Sequence, residues 1–174
     1  MATYRTKTYI AGDWSGDKDA IEQIYKWKDS EYWGLDFVDA HDLTQARDTS
    51  LPCSIKASLK KRLDVSKTFV LIVGNDTKKL TKGSCAYCQS YHPYSHYCTK
   101  GHSISMESFI EYECRQAVKA EMKVVVIYNN SYVNREKCPE DLKDRGVHLP
   151  LFVKCLGGYS YNYQNIKRAI MENI

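Results

Sequence analysis

Residues 108–128, S-F-I-E-Y-E-C-R-Q-A-V-K-A-E-M-K-V-V-V-I-Y, decide the fold of this chain. Ile110, Cys114, Ala117 and Val118 recur at helical spacing, and Val124–Ile127 then forms an unbroken β-branched run, the pattern of a strand covered on both faces in a parallel sheet. Ser108 followed by Glu111 three residues on is the signature of a capping box, so the helix is expected to begin there. Glu113 then falls within its first two turns. Glu111 and Glu113 flank the apolar stripe about equally, and periodicity alone leaves open which of them faces inward and which is solvated.

Working outward, Lys7–Gly12 predicts a first strand that ends in the polar turn Asp13–Asp17, followed by a helix over Asp19–Asp29. Leu35–Asp39 alternates as a second strand near the sheet edge. Pro52 near the start, with Ile55, Leu59 and Leu63 at successive fourth positions, predicts a helix. Thr68–Val73 is the third strand. After Val124–Ile127, Cys138–Leu142 has proline where a short helix would start, Leu149–Val153 predicts a fifth strand, and Tyr161–Glu172 predicts a closing helix.

Strands alternating with helices point to an α/β three-layer sandwich with a five-stranded, mostly parallel sheet of flavodoxin-like order 2-1-3-4-5. Ligands of such sheets bind beyond the C-terminal strand ends. Asp13, Asp39, His41, Asp76 and Asn129 all fall just after strand ends on that edge, and Glu113 would face the same crevice.

The 174 residues suit a single domain over 1–174 with a sizeable core, and 43% hydrophobic with 26% charged residues is ordinary for a globular protein. A formal charge of +4 is too small to imply a nucleic-acid partner. No apolar run approaches the roughly 20 residues a membrane span requires, and Met1–Lys7 is polar and basic with no apolar segment behind it. The expectation is a cytoplasmic protein without a membrane partner.

Seven cysteines, an odd count, argue against a disulfide framework. Residues 78–104 instead form a Cys/His-rich insertion after strand three, poor in aliphatic side chains and long for a structureless loop. Within it Cys85-x2-Cys88-x9-Cys98-x3-His102 presents four ligands that suit tetrahedral zinc, with His92 and His96 as competing fourth ligands. Four protein ligands would make such a zinc structural. The alternative is reduced thiols in an aromatic-rich loop. Cys53, Cys114, Cys138 and Cys155 read as isolated, small buried hydrophobes.

Phe109-Ile110-Glu111-Tyr112-Glu113, set before Ala117 and the apolar strand, resembles the aromatic-x-x-x-Glu motif of Toll/interleukin-1 receptor (TIR) domains. Y-I-A-G-D-W-S-G-D at 9–17, F-V-D-A-H-D-L at 37–43, A-R-D-T-S at 46–50 and S-K-T-F-V-L-I-V-G at 66–74 extend the resemblance to the bacterial TIR-like proteins of Thoeris-type anti-phage defence. The resemblance implies the same five-stranded sandwich and an enzyme that cleaves the nicotinamide–ribose bond of NAD, its substrate, as an NAD nucleosidase or ADP-ribosyl cyclase. By position it makes Glu113 the catalytic residue, with Phe109 in place of the tryptophan common at the motif's start. Asp39, His41 and Asp48 border the nucleotide site by the same resemblance.

Asp13 and Trp14 could line that crevice, the indole facing a nucleotide ring, or could be a loop aspartate satisfying backbone donors and a tryptophan covering the core edge. The resemblance also implies a signal nucleotide, a downstream nucleotide-sensing effector, and self-assembly or a phage-derived trigger. A non-catalytic TIR-like interaction module is the alternative. A phosphoacceptor receiver with Asp76 as acceptor is disfavoured, because Gly12-Asp13-Trp14 lacks the adjacent acidic pair that would hold magnesium.

Overall fold

The computed structural model describes residues 4–40 and 51–172. Its central sheet has four parallel strands: β1 (Lys7–Ala11), β2 (Ser66–Val73), β5 (Lys123–Tyr128) and β6 (Val147–Pro150), in the order β1-β2-β5-β6. Helices α2 (Pro52–Asp64) and α3 (Phe109–Lys119) cover one face, where Leu63, Ile110, Cys114 and Ala117 pack on Tyr9, Phe69, Leu71 and Val126. Helices α1 (Lys18–Asp29) and α4 (Tyr163–Met171) cover the other, where Ile21, Ile24, Trp27 and Ile166 meet Ile10, Val70, Ile72 and Val125. Alternating strand residues thus feed two cores, and β2 and β5 are buried on both sides as their unbroken apolar runs require. No described helix is long and apolar enough to cross a membrane.

The segment that organised the sequence reading folds as expected. The Ser108 side chain accepts the Glu111 backbone N–H at 3.2 Å, and Glu111 Oε2 accepts the Ser108 N–H at 2.7 Å, which completes the capping box. Lys123–Tyr128 then pairs in register with Thr68–Val73.

The sheet departs from the five-stranded expectation at both edges. Leu35–Asp39 does not form a strand; it meets β1 in one bridge, Thr8 to Asp39, closed by Thr8 N–H to Val38 O at 2.8 Å and Ala40 N–H to Thr8 O at 3.0 Å. Leu35 and Phe37 turn into the α1 core while Val38 is exposed, so among the described residues side-chain burial contributes more to this edge than a ladder does. Leu149–Val153 divides at Pro150, which has no N–H to continue a ladder. Phe152–Cys155 (β7) instead pairs antiparallel with Gly158–Tyr161 (β8) in a separate hairpin, and the closing helix starts at Tyr163. Cys138–Leu142 is not a helix but a chain of i to i+3 turns, including Leu142 N–H to Pro139 O at 3.0 Å, following the 3-10 turn Arg135–Lys137.

The insertion between β2 and α3 carries the 3-10 turns Thr77–Lys79 and Cys85–Tyr87 and a two-residue hairpin, β3 (Tyr91–His92) with β4 (Tyr97–Cys98). It is fastened to α2 by the buried Lys56, whose ammonium donates to Ser105 Oγ at 3.0 Å and Glu107 O at 2.6 Å.

Ser108→Ala removes the cap of α3 and lowers the free energy of unfolding by about 1 kcal/mol, read as a shift in the urea midpoint with an unchanged slope.

Candidate functional site

Helix α3 descends from the insertion, at the C-terminal end of β2, towards the start of β5, so its first half lies near the C-terminal edge of the sheet. Once the capping box fixes the phase of α3, its two carboxylates separate. Glu111 is exposed and engaged in the cap, whereas Glu113 is only 7% exposed and lies on the face turned to the sheet. Its Oε1 accepts a hydrogen bond from the hydroxyl of Tyr9 in β1, whose ring stacks on Phe69 of β2. Burial, then the charge of Glu113 and the hydrogen bond to it, hold the Tyr9 phenol well above its usual range, with the Arg62 guanidinium opposing. Tyr9 is therefore a neutral donor at every physiological pH. Tyr9 is expected in the first strand but has no role legible in the sequence, because its partner lies 104 residues away.

Phe109, one turn before Glu113, is half-buried under the start of the insertion. A Cβ added to Gly83 would come 2.4 Å from the Phe109 ring, at a backbone φ of +99°, a conformation that glycine adopts without steric cost. Phe109 N–H also donates to Lys82 O at 2.9 Å. Asp39 is buried at the bridge to β1. His41 and Asp48 lie outside the described residues. Trp14 is about half exposed, with its ring 6.0 Å from that of Tyr25. Asp13 organises the turn after β1: its Oδ1 accepts the Ser15 N–H at 2.9 Å and its carbonyl the Asp17 N–H at 2.8 Å.

A residue not singled out in the sequence, Asp17, stands at the C-terminal strand ends. It is buried, accepts from Asn129 Nδ2 at 2.9 Å, and lies so close to the end of β2 that a Cβ on Gly74 would fall 2.0 Å from its carboxylate oxygen. Burial raises its pKa first, the Asn129 amide lowers it, and the charges of Asp13 and Asp76 raise it further. Asp76 itself is exposed and pairs with Lys79 at 3.6 Å.

A cavity of about 530 Å³ opens elsewhere, at the N-terminal ends of β5 and β6, lined by Val118, Met122, Lys123, Arg145 and Val147 among others. Glu113 is not part of it. Of the expected metal ligands, Cys85, Cys88 and Cys98 line one small cavity together with Cys53, while His102 is exposed and does not reach it. Among the described residues, no three Cys, His, Asp or Glu side chains already stand at metal-binding spacing. Cys114 and Cys138 are fully buried, as small hydrophobes would be, and Cys155 is exposed.

Residues 9–82 match the family described as Thoeris protein ThsB, TIR-like domain. The match bears out the resemblance to Thoeris-type TIR-like proteins over somewhat less than half of the chain. It begins at Tyr9, runs through α1, α2 and β2, and ends at the insertion, before Glu113. No curated protein matches the sequence. The matched residues thus include Tyr9, whereas Glu113 lies beyond them in the helix that follows the insertion.

Tyr9→Phe deletes the donor to a buried carboxylate and destabilises the fold by roughly 1.5–3 kcal/mol, measured by chemical denaturation. Asp17 holds its proton more tightly folded than unfolded, so its ionisation costs stability as pH rises from the ordinary aspartate range through its raised value. Asp17→Asn accordingly raises the thermal midpoint relative to the native chain near pH 7. The advantage closes as pH falls to about 4 and below.

Proposed function

We propose that this TIR-like protein consumes NAD in Thoeris-type anti-phage defence, cleaving the nicotinamide–ribose bond with Glu113 as its catalytic carboxylate. The observation that carries the reading is the sealed pairing of Glu113 with Tyr9, on a sheet whose first half matches the Thoeris TIR-like family. A glutamate on a solvated helix face has no reason to be desolvated, whereas carboxylates of functional sites commonly are.

The chemistry asks little beyond such a group. Loss of a pyridinium from ribose passes through an oxocarbenium-like state whose positive charge is spread over the sugar. One carboxylate close to it stabilises that charge and holds the ribose hydroxyls. Nicotinamide departs neutral, so no general acid is needed to protonate it. Tyr9 donates to one carboxylate oxygen and orients the group. Water then yields ADP-ribose, an adenine nitrogen yields a cyclic product, and another nucleophile yields a conjugate. In this reading the product is a signal nucleotide made in the cytoplasm for a nucleotide-sensing effector, and a neighbouring copy or a phage-derived trigger opens the site. Phe109, Trp14 and Asp13, with Asp39, His41 and Asp48, border the nucleotide.

Incubation of NAD with the protein, and extracts of infected cells expressing it, resolve the product by chromatography and mass spectrometry. The native chain gives nicotinamide and an adenine nucleotide. Glu113→Gln, which keeps an acceptor for Tyr9, remains folded by circular dichroism and gives neither. Full turnover by Glu113→Gln contradicts the assignment. No product from the folded native chain in either setting transfers the protein to the interaction-module reading.

A further inference from the structure

The insertion is too poor in apolar side chains to make a core of its own. Its only strands are the two-residue pair β3–β4, and it buries chiefly Ser84, Cys85 and Ser90. Yet it brings thiols together. Cys85 opens a 3-10 turn that Ser84 caps and Cys88 closes, with Cys88 N–H donating to Cys85 O at 3.0 Å. The β3–β4 hairpin sets Cys98 opposite Tyr91, and a turn from Cys98 to Gly101 follows, closed at 2.9 Å. From outside the insertion, Cys53 in the first turn of α2 completes the group. Cys53, Cys85, Cys88 and Cys98, all free thiols, line a single cavity of about 10 Å³, on the order of the space one water-sized sphere sweeps.

We propose that these four cysteines bind one structural zinc ion, with Cys53 taking the place of His102 and the metal joining α2 to the insertion. Four thiolates at about 2.3 Å from the ion form a closed tetrahedral site, which rotation of the four side chains into the cavity they share would complete. Zinc with four thiolates carries two net negative charges, and the surroundings answer them. The Ser105 N–H donates to Cys85 Sγ at 3.4 Å, the buried Lys56 ammonium is anchored beside it at Ser105 and Glu107, and Cys53 stands in the first turn of α2, at the positive end of the helix dipole. None of the competing histidines lines the cavity. His96 Nδ1 is 2.9 Å from Tyr91 Oη, His92 Nδ1 accepts the Ser95 N–H at 3.3 Å, and His102 is exposed. The assignment is independent of the NAD reading and survives its failure.

The test is zinc content by mass spectrometry of the full chain, purified from zinc-supplemented medium and challenged with a chelator. About one zinc per chain is expected in the native protein and in His102→Ala, with loss of the metal in Cys53→Ser. The cobalt-substituted native protein and His102→Ala should both show intense sulfur-to-cobalt charge transfer and the visible bands of a tetrahedral ion. Charge-transfer intensity grows with the number of thiolates, so a four-thiolate intensity that is unchanged in His102→Ala decides the matter even if Cys53→Ser fails to fold. A folded native protein without zinc, a folded Cys53→Ser that keeps a full equivalent, or His102→Ala that loses it overturns the proposal.

Discussion

The bond between the Tyr9 hydroxyl and the Glu113 carboxylate ties the first strand to the third helix across most of the chain. A carboxylate taken out of water costs several kcal/mol unless hydrogen bonds and charge repay it. Three other features help to place Glu113 and its partner. The capping box sets the phase of α3, Phe69 holds the Tyr9 ring, and the Arg62 charge lies within reach of Tyr9. A shift of α3 by one residue would carry Glu113 away from the strand and turn a different side chain onto Tyr9.

The same geometry gives the sheet two unlike ends. At the C-terminal strand ends, Asp13 shapes the first turn while Asp17, Gly74 and Asn129 interlock β1, β2 and β5 through one buried carboxylate. At the opposite end, the larger cavity beside Met122 and Arg145 has volume but no buried acid among its lining residues, its one carboxylate belonging to the exposed Glu121. Volume and buried charge thus lie at opposite ends of the sheet.

Much of the fold was legible because its signals are local. Ser108 with Glu111, the run Val124–Ile127 and Pro52 ahead of Ile55 and Leu59 each specify structure within a few residues. The edges were less legible. Leu35–Asp39 alternates like a strand, yet only one of its residues pairs with β1; in Leu149–Val153 the missing N–H of Pro150 outweighs the apolar pattern. The site was legible in composition but not in geometry. Glu111 and Glu113 are equivalent on a helical wheel, and the capping box that engages Glu111, with a tyrosine brought from β1 to Glu113, distinguishes them. Cys53 looks solitary because the thiols it faces come from the far side of β2.

The measurement that bears most directly on this account is the crystal structure of Glu113→Gln soaked with NAD, since removal of the charge should trap the intact substrate. The account predicts the nicotinamide ribose within hydrogen-bond distance of residue 113, on the face of the sheet covered by α2 and α3. NAD seated in the cavity beside Met122 and Arg145, with residue 113 still closed against Tyr9, would contradict it.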